Sequence, residues 1–224
     1  MKQQIAVIGL GRFGAAVAEE LVKSGHEVLG VDSDLSVVQG LSTRLTHVVQ
    51  AEASDREALQ RLGIAEFDVV IIAITEDLET SILATLEVKR LGVANVIAKA
   101  RNDTHGEILE RVGADRVVYP ERDTGVRLAH SWSSRNITDS LDIVEGYTVS
   151  RVLVPKSLSG RTLAETFGEG AQGVSLLLFA RGSRVAVFPS PEERLQAGDV
   201  LVLAGQLSDI ERFFAALEPA AAAR

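Results

Sequence analysis

Residues 4–32, QIAVIGLGRFGAAVAEELVKSGHEVLGVD, constrain the fold of this chain more than any other stretch. An apolar run at 5–8 leads into Gly9, Gly11 and Gly14, which open an amphipathic helix, and a second apolar run at 28–31 ends on Asp32. In such a strand–helix–strand unit the first glycine permits the tight turn, the second lets a pyrophosphate approach the backbone, and the third lets helix pack on strand. The helix N-terminus then offers unpaired N–H groups to an anion. Asp32 stands where its carboxylate accepts hydrogen bonds from both hydroxyls of an adenosine ribose; it would repel a 2′-phosphate, which disfavours NADP. A glycine turn that merely packs the unit is the competing reading. Flanking strand, helix and terminal acid together favour nucleotide binding.

Further strand-like runs recur at 47–51, 69–74, 96–100 and 117–119, separated by helical periods at 55–62, 76–91 and 103–112. The fold class is therefore α/β: a Rossmann-like doubly wound parallel sheet, complete by about residue 120. A helix begun by Pro120 and carrying Val126, Leu128 and Ala129 before Trp132 follows. The stretch SSRNITDSLDIVEG is polar and turn-rich, and beyond it short strands at 149–154, 174–180, 185–188 and 200–203, a helix at 161–167 closed by Gly168, and a closing helix at 208–217 describe a small α+β C-terminal lobe. The expected domains are 1–135, including the crossover helix, and 141–218, with residues 219–224, PAAAAR, as a frayed tail.

The chain has 224 residues, enough for one nucleotide-binding domain and a small companion, and carries a formal charge of −8. No basic cluster offers the footprint that nucleic acid requires. The absence of cysteine excludes disulfides, thiolate nucleophiles and cysteine-held metals, and fits a cytosolic protein. The first strand begins right after Met-Lys-Gln-Gln, leaving no room for a signal peptide, and the apolar runs VVIIAI and VSLLLFA are too short to span a bilayer.

Arg12, between the second and third glycines, can swing over bound phosphates; a terminal phosphate is its natural partner, and a solvated helix-start arginine is the alternative. Glu52, just past the third strand, is placed to receive an adenine amino group, or is an exposed loop acid. Lys99 closes the fifth strand at the carboxyl edge, where ligands of such sheets bind. Glu121 follows the sixth strand and is either a cation ligand beside phosphates or ordinary first-turn chemistry. Phe13, Ser33, Ala53 and Ile74 complete the candidate binding set of Gly9, Gly11, Arg12, Gly14, Asp32, Glu52 and Lys99. The four histidines show no metal-ligand spacing and read as structural. Residues 141–218 hold no histidine and one lysine, Lys156, which argues against a dehydrogenase there, with Asp, Glu or Tyr as the remaining candidates for its acid or base. No catalytic residue is assigned.

With these residues in place, the chain resembles the RCK (regulator of potassium conductance) family, specifically the cytosolic regulatory subunits of bacterial Ktr and Trk potassium-uptake systems. The resemblance rests on the opening fingerprint, on VVIIAITEDLETSILATLEVKRLGV and IAKARNDTHGEILERVGADRVVYPERDTG, and, in the second domain, on LSGRTLAETFG and PSPEERLQAGDVLVLAGQLSDIERF. The single pair of TrkA-N and TrkA-C domains is similar to the Ktr type. The resemblance implies ATP, ADP or NAD/NADH in the cleft and dimers that form a ring, as an octamer. It also implies a membrane-embedded potassium-translocating partner, which holds the chain at the inner face of the cell membrane. By position Arg12 is similar to the reader of the terminal phosphate, Asp32 to the ribose ligand, and Glu121 to a residue that helps hold a divalent cation such as Mg. The loop Ala51-Glu52-Ala53-Ser54 departs from the Asp or Asn that many members carry at its second position.

A ligand-binding gating subunit is thus the leading expectation. An NAD-dependent oxidoreductase is the alternative, and a redox-sensing transcription factor is a third class, weakened by the absence of a DNA-binding domain ahead of the first strand. Assembly is expected through the helix at 76–91, whose stripe of Leu78, Ile82, Leu83, Leu86 and Leu91, with Val88 off it, is broader than one sheet face needs, or through its neighbour at 103–112. Residues 141–218 are expected to dimerise. Arg181 and Arg184, flanking the expected hairpin turn Gly182-Ser183, are either solvated turn arginines or phosphate contacts for a second ligand, in relatives cyclic di-AMP.

Overall fold

A computed structural model describes residues 2–133, 136–168, 171 and 173–217; the expected tail at 219–224 lies outside them. The chain divides into two compact units, Met1–Pro120 and Glu121–Arg224. Among the described residues no helix is long and apolar enough to cross a membrane.

The first unit is built on strands β1 (Gln4–Ile8), β2 (Glu27–Asp32), β3 (His47–Gln50), β4 (Val69–Ile72), β5 (Val96–Lys99) and β6 (Arg116–Val118). They form one sheet in the order β3-β2-β1-β4-β5-β6, with parallel pairing throughout. The apolar runs are continuous because both faces are covered. On β1, Ile5 and Val7 join one core with Ala18, Leu41 and Leu45, while Ala6 and Ile8 join another with Leu59, Ala84, Val88 and Leu109. Helices α1 (Arg12–Lys23) and α2 (Leu35–Leu41) cover the first face; α3 (Arg56–Arg61), α4 (Leu78–Arg90) and α5 (Asp103–Val112) cover the second.

Two local features depart from the sequence reading. Helix α2 was not expected, yet Asp34 caps it by accepting from Ser36 N at 2.7 Å, and Val38 and Leu41 are buried. Helix α4 turns the other way: Ser81, Ala84, Thr85 and Val88 are fully buried, while Leu78 and Leu83 are exposed. Small side chains at i, i+3, i+4 and i+7 let this helix lie close to the sheet, and the Thr85 hydroxyl is satisfied by donating to the Ser81 carbonyl at 2.9 Å. Val88 is core; of the stripe only Leu78 and Leu83 are exposed, while Ile82 and Leu91 pack against the core from its edge.

The second unit opens with α6 (Pro120–Ser133) and continues through β7 (Ile137–Val144), β8 (Tyr147–Leu153), α7 (Leu163–Phe167), β9 (Val174–Arg181), β10 (Arg184–Val187), β11 (Val200–Gly205) and α8 (Leu207–Leu217). Its antiparallel sheet runs β10-β9-β11-β8-β7. Strand β7 occupies the stretch read as polar and turn-rich. Ser140 is nevertheless buried there, its hydroxyl accepting from Ser150 across the β7–β8 hairpin at 3.3 Å, and Gly146 supplies the left-handed turn residue. Thr162 and Glu165 form a reciprocal capping box on α7, and Ile210, Phe213 and Phe214 of α8 complete the lobe's core.

Arg181 pairs with buried Asp199 through two bonds of 2.7 Å and also donates to the Arg194 carbonyl at 2.6 Å, while Arg184 pairs with Glu193 at 2.7 Å. The two arginines flank the hairpin turn as expected, but each is engaged by a carboxylate and neither is simply solvated. Burial pushes the Asp199 carboxyl up; the Arg181 guanidinium and the Gln196 N–H outweigh it and hold the group below the usual carboxylate range. Asp199→Ala, which strands the guanidinium, is expected to cost about 3 kcal/mol in urea unfolding. The native carboxylate's contribution is complete above the ordinary Asp value and is lost as pH falls through the lower folded one. A change within about 0.5 kcal/mol would contradict this role.

Candidate functional site

The site is built where β1 and β2 end side by side. Gly9 takes φ +90°, and its N–H donates to the Val31 carbonyl at 2.8 Å, which draws the turn onto β2. A Cβ on Gly9 would lie 2.8 Å from Ile74 Cγ1, and one on Gly14 would collide with the Gly9 carbonyl oxygen. Between them Leu10 is anchored twice. Its side chain is buried over Gly30, where a Cβ would come within 2.9 Å of Leu10 Cδ1, and its N–H donates to Asp32 Oδ2 at 2.6 Å. Asp32 Oδ1 accepts from Asp34 N at 2.9 Å. The carboxylate is thus held by two backbone amides at the sheet edge, with lone pairs left for further donors.

Gly11 differs from its neighbours. It is the N-cap of α1 with φ −61° and ψ −174°, extended backbone open to any residue, and a Cβ there would meet nothing within 4 Å. The chain's own packing does not require this glycine. The open space lies before the first turn of α1, which has no side-chain cap and no acid in its first turn. Helices α2, α3, α4 and α5, by contrast, are capped by Asp34, Asp55, Asp77 and Asn102. An uncapped N-terminus with an unfilled approach is what an anion fits. Arg12, exposed on that turn, makes no hydrogen bond or ion pair with another described residue. The residues present therefore suit an adenosine phosphate: Asp32 for the ribose, the α1 amides and Arg12 for phosphate.

Phe13 and Lys99 come together, the ammonium 5.3 Å from the ring centroid, and Lys99 is only 7% exposed at the end of β5. Ile74 packs against Gly9 just beyond β4. Ser33 follows Asp32, and its carbonyl accepts from Gln50 Nε2 at 2.9 Å. Glu52 is an exposed loop residue, whereas the Ala53 methyl is buried in the core with Ile8 and Val31, leaving only its backbone to face a ligand. Glu121 stands in the first turn of α6, in the second unit. Among the described residues there is no group of three or more His, Asp or Glu that could hold a metal, so the expected divalent cation rests on the resemblance alone.

Sequence reasoning missed Leu10 and Ala73 as supports of this edge, and read His105 as structural without placing it. Leu10 acts through a backbone amide, which no residue type announces. Ala73 donates its N–H to the Ile8 carbonyl at 2.7 Å and would lie 3.1 Å from a Cβ on Gly14. His105 is buried, its Nδ1 accepting from Arg101 N at 3.3 Å, and so secures the turn after β5. Burial, and then the charge of Arg101, hold its imidazole below the usual range.

Comparison with known proteins follows this geometry. The TrkA-N domain model matches residues 5–120 and the TrkA-C domain model residues 149–218. Ktr system potassium uptake protein C of Bacillus subtilis (strain 168) is 38% identical over 213 residues, spanning 95% of this chain and 96% of that protein. Ktr system potassium uptake protein A of the same organism is 36% identical over 94% of this chain and 95% of its own, and protein A of Vibrio alginolyticus 34% identical over 91% and 92%. The crystal structure of the GsuK RCK domain shares the fold with TM-score 0.67 at 21% identity, and the GsuK channel bound to NAD with TM-score 0.68 at 20%. The matches span 95% and 100% of this chain but only 48% and 41% of those solved chains.

The two glycines of the turn separate in their expected cost. Gly14→Ala forces α1 off the turn and should destabilise the protein by about 3 kcal/mol or more. Gly11→Ala should change stability by less than about 1 kcal/mol. Equal losses in thermal or urea unfolding would show that Gly11 too is required by packing.

Proposed function

This chain belongs to the TrkA-N/TrkA-C family of RCK proteins, and from that premise we propose that it is the nucleotide-sensing regulatory subunit of a Ktr-type potassium-uptake system. It binds ATP or ADP at the β1–α1 turn and passes its nucleotide state to a membrane-embedded potassium-translocating subunit. It works in the cytoplasm, held at the inner face of the membrane through that partner, and carries out no chemistry of its own. The potassium half of this reading is supported by Ktr relatives matched over nearly their whole length. The nucleotide half is carried by one observation: Gly11 keeps open a space that the chain itself does not need, directly before the uncapped end of α1. Asp32 is the ribose acceptor and Arg12 the guanidinium that reaches the phosphate chain.

A sensor must bind its ligands unequally to shift anything. Arg12→Ala is expected to weaken ATP more than ADP, by about 1.5 to 3 kcal/mol if one charge-assisted bond to the terminal phosphate is lost. Asp32→Ala is expected to weaken every adenosine nucleotide, since it removes the ribose acceptor and releases Leu10 together. Calorimetric titration of both variants decides the matter: undiminished affinity in Asp32→Ala refutes the site, and equal losses for ATP and ADP in Arg12→Ala leave that residue a general phosphate contact.

Assembly follows from surfaces each unit leaves uncovered. On α4 the outward stripe includes exposed Leu78 and Leu83. On α6, Val126 and Leu128 are exposed and Trp132 is 82% exposed, an apolar load that a helix does not leave in water without a partner. Dimers closing into an octameric ring would cover both. Light scattering at micromolar concentration should give a mass above that of a dimer; a monomer would refute the ring. A second nucleotide on the C-terminal lobe, as cyclic di-AMP, would have to compete with the carboxylates that already hold Arg181 and Arg184.

A further inference from the structure

Helix α5 begins with two bonds that cross. The Asn102 side chain accepts from the His105 N–H at 2.9 Å, and His105 Nδ1 accepts from the Arg101 N–H at 3.3 Å. This is a variant of the capping box, in which the cap serves the third helical residue and that residue reaches back to the chain entering the helix. Helix α7 carries the usual form, with Glu165 accepting from Thr162 N at 2.7 Å. A glutamate remains an acceptor throughout the neutral range. A histidine does not.

The ring is also confined. His105 is 2% exposed, although Arg101, Asn102, Asp103 and Thr104 before it all lie at the surface. Because Nδ1 accepts, the proton of the neutral ring sits on Nε2, where it meets no hydrogen-bond partner among the described residues. A second proton has only Nδ1 to go to, and there it points at the Arg101 N–H, donor against donor. The cation would also stand in the first turn of a helix, whose dipole disfavours it. Arg101 is the charge that acts on the ring, and with burial it holds the imidazole below the usual range. Ionisable groups on the elements packed against α5 do not offset this. On α4, Glu87 pairs with Arg90 and Lys89 with Asp115; Lys99 of β5 stands by the Phe13 ring; and the Tyr119 hydroxyl, beyond β6, lies where a Cβ on Gly106 would be. Glu79 of α4, Arg116 of β6 and the acids of α5 itself are exposed.

We propose that His105 is a proton-operated latch on the turn between β5 and α5: when the ring takes a proton from solvent, Nδ1 stops accepting, the Arg101 N–H is released and the turn opens. At neutral pH the latch is closed. Its release falls on the carboxyl edge of the parallel sheet, since residues 100–102 join Lys99, at the end of β5, to the start of α5. The opened ring binds a proton more readily than the closed one, so the open turn gains population as pH falls through the ordinary histidine value. Acid therefore loosens one chosen segment of the first unit, while the glutamate box of α7 stays shut over the same range.

The test is residue-resolved amide exchange on the full chain at about pH 7.5 and about pH 5.5, one unit either side of the ordinary histidine value, with each rate divided by its intrinsic rate at that pH. In the wild type the protection of Arg101 N–H is expected to fall by about tenfold between the two, and that of Thr162 N–H to stay level. In His105→Asn, whose side-chain oxygen can accept from Arg101 without titrating, protection should persist at both pH values; His105→Gln serves as a second non-titrating variant. Level Arg101 protection in the wild type, an equal fall at Thr162, or an undiminished fall at Arg101 in the folded variants would each overturn the latch. The wild-type comparison of Arg101 with Thr162 decides by itself if neither variant folds.

Discussion

A single hydrogen bond ties the first unit's sequence signature into one object: the Leu10 N–H to Asp32 Oδ2, at 2.6 Å. It joins the glycine turn after β1 to the last residue of β2, so the group suited to a ribose also fixes the turn suited to a phosphate. Around it the supports are all backbone or close packing. Gly9 N–H bonds to Val31, Ala73 N–H bonds to Ile8, and Leu10 fills the space that Gly30 leaves. Removing Asp32 would therefore loosen the glycine turn along with the end of β2, so the two ends of the proposed site are a coupled pair rather than separate contacts.

That rigid edge has few groups able to do chemistry, and this suits a sensor. A regulator needs differential affinity, not bond making, and only interactions that distinguish two ligands can shift an equilibrium between states. In the proposed site Arg12, exposed on an uncapped helix start, is the element suited to such a distinction. In the second unit, residues 141–218 hold no histidine and one lysine, Lys156. Its charged side chains are spent on the lobe's own structure, as the Arg181–Asp199 and Arg184–Glu193 pairs show.

The strand, glycine and acid pattern of the first unit was legible because parallel strands buried on both faces leave unbroken apolar runs and because each glycine answers a different steric demand. The same local logic failed where tertiary context decides. Strand β7 was hidden by Ser140, a polar residue whose burial is satisfied only by Ser150 across the hairpin. On α4 the leucines drew attention, yet the sheet selects the small residues, which only a close helix–sheet approach rewards. The Ala53 side chain is core, so only its backbone can face a ligand, and the arginines of the β9–β10 turn read as solvated or as phosphate contacts because the local pattern does not announce their carboxylate partners. Phe13 and Lys99 were both in the candidate set; their contact could be seen only once β4 was placed between β1 and β5.

Amide hydrogen exchange resolved at single residues, with and without ADP, tests the central claim that the α1 N-terminus behind Gly11 is the phosphate site. Without nucleotide the N–H groups of Arg12, Phe13 and Gly14 should exchange quickly, because no side chain caps them, while the Leu10 N–H is already protected by Asp32. With saturating ADP the amides of the first turn should slow by about tenfold or more, with little change at Leu10. Protection that leaves residues 12–14 unchanged, or appears only elsewhere in the chain, would contradict the assignment.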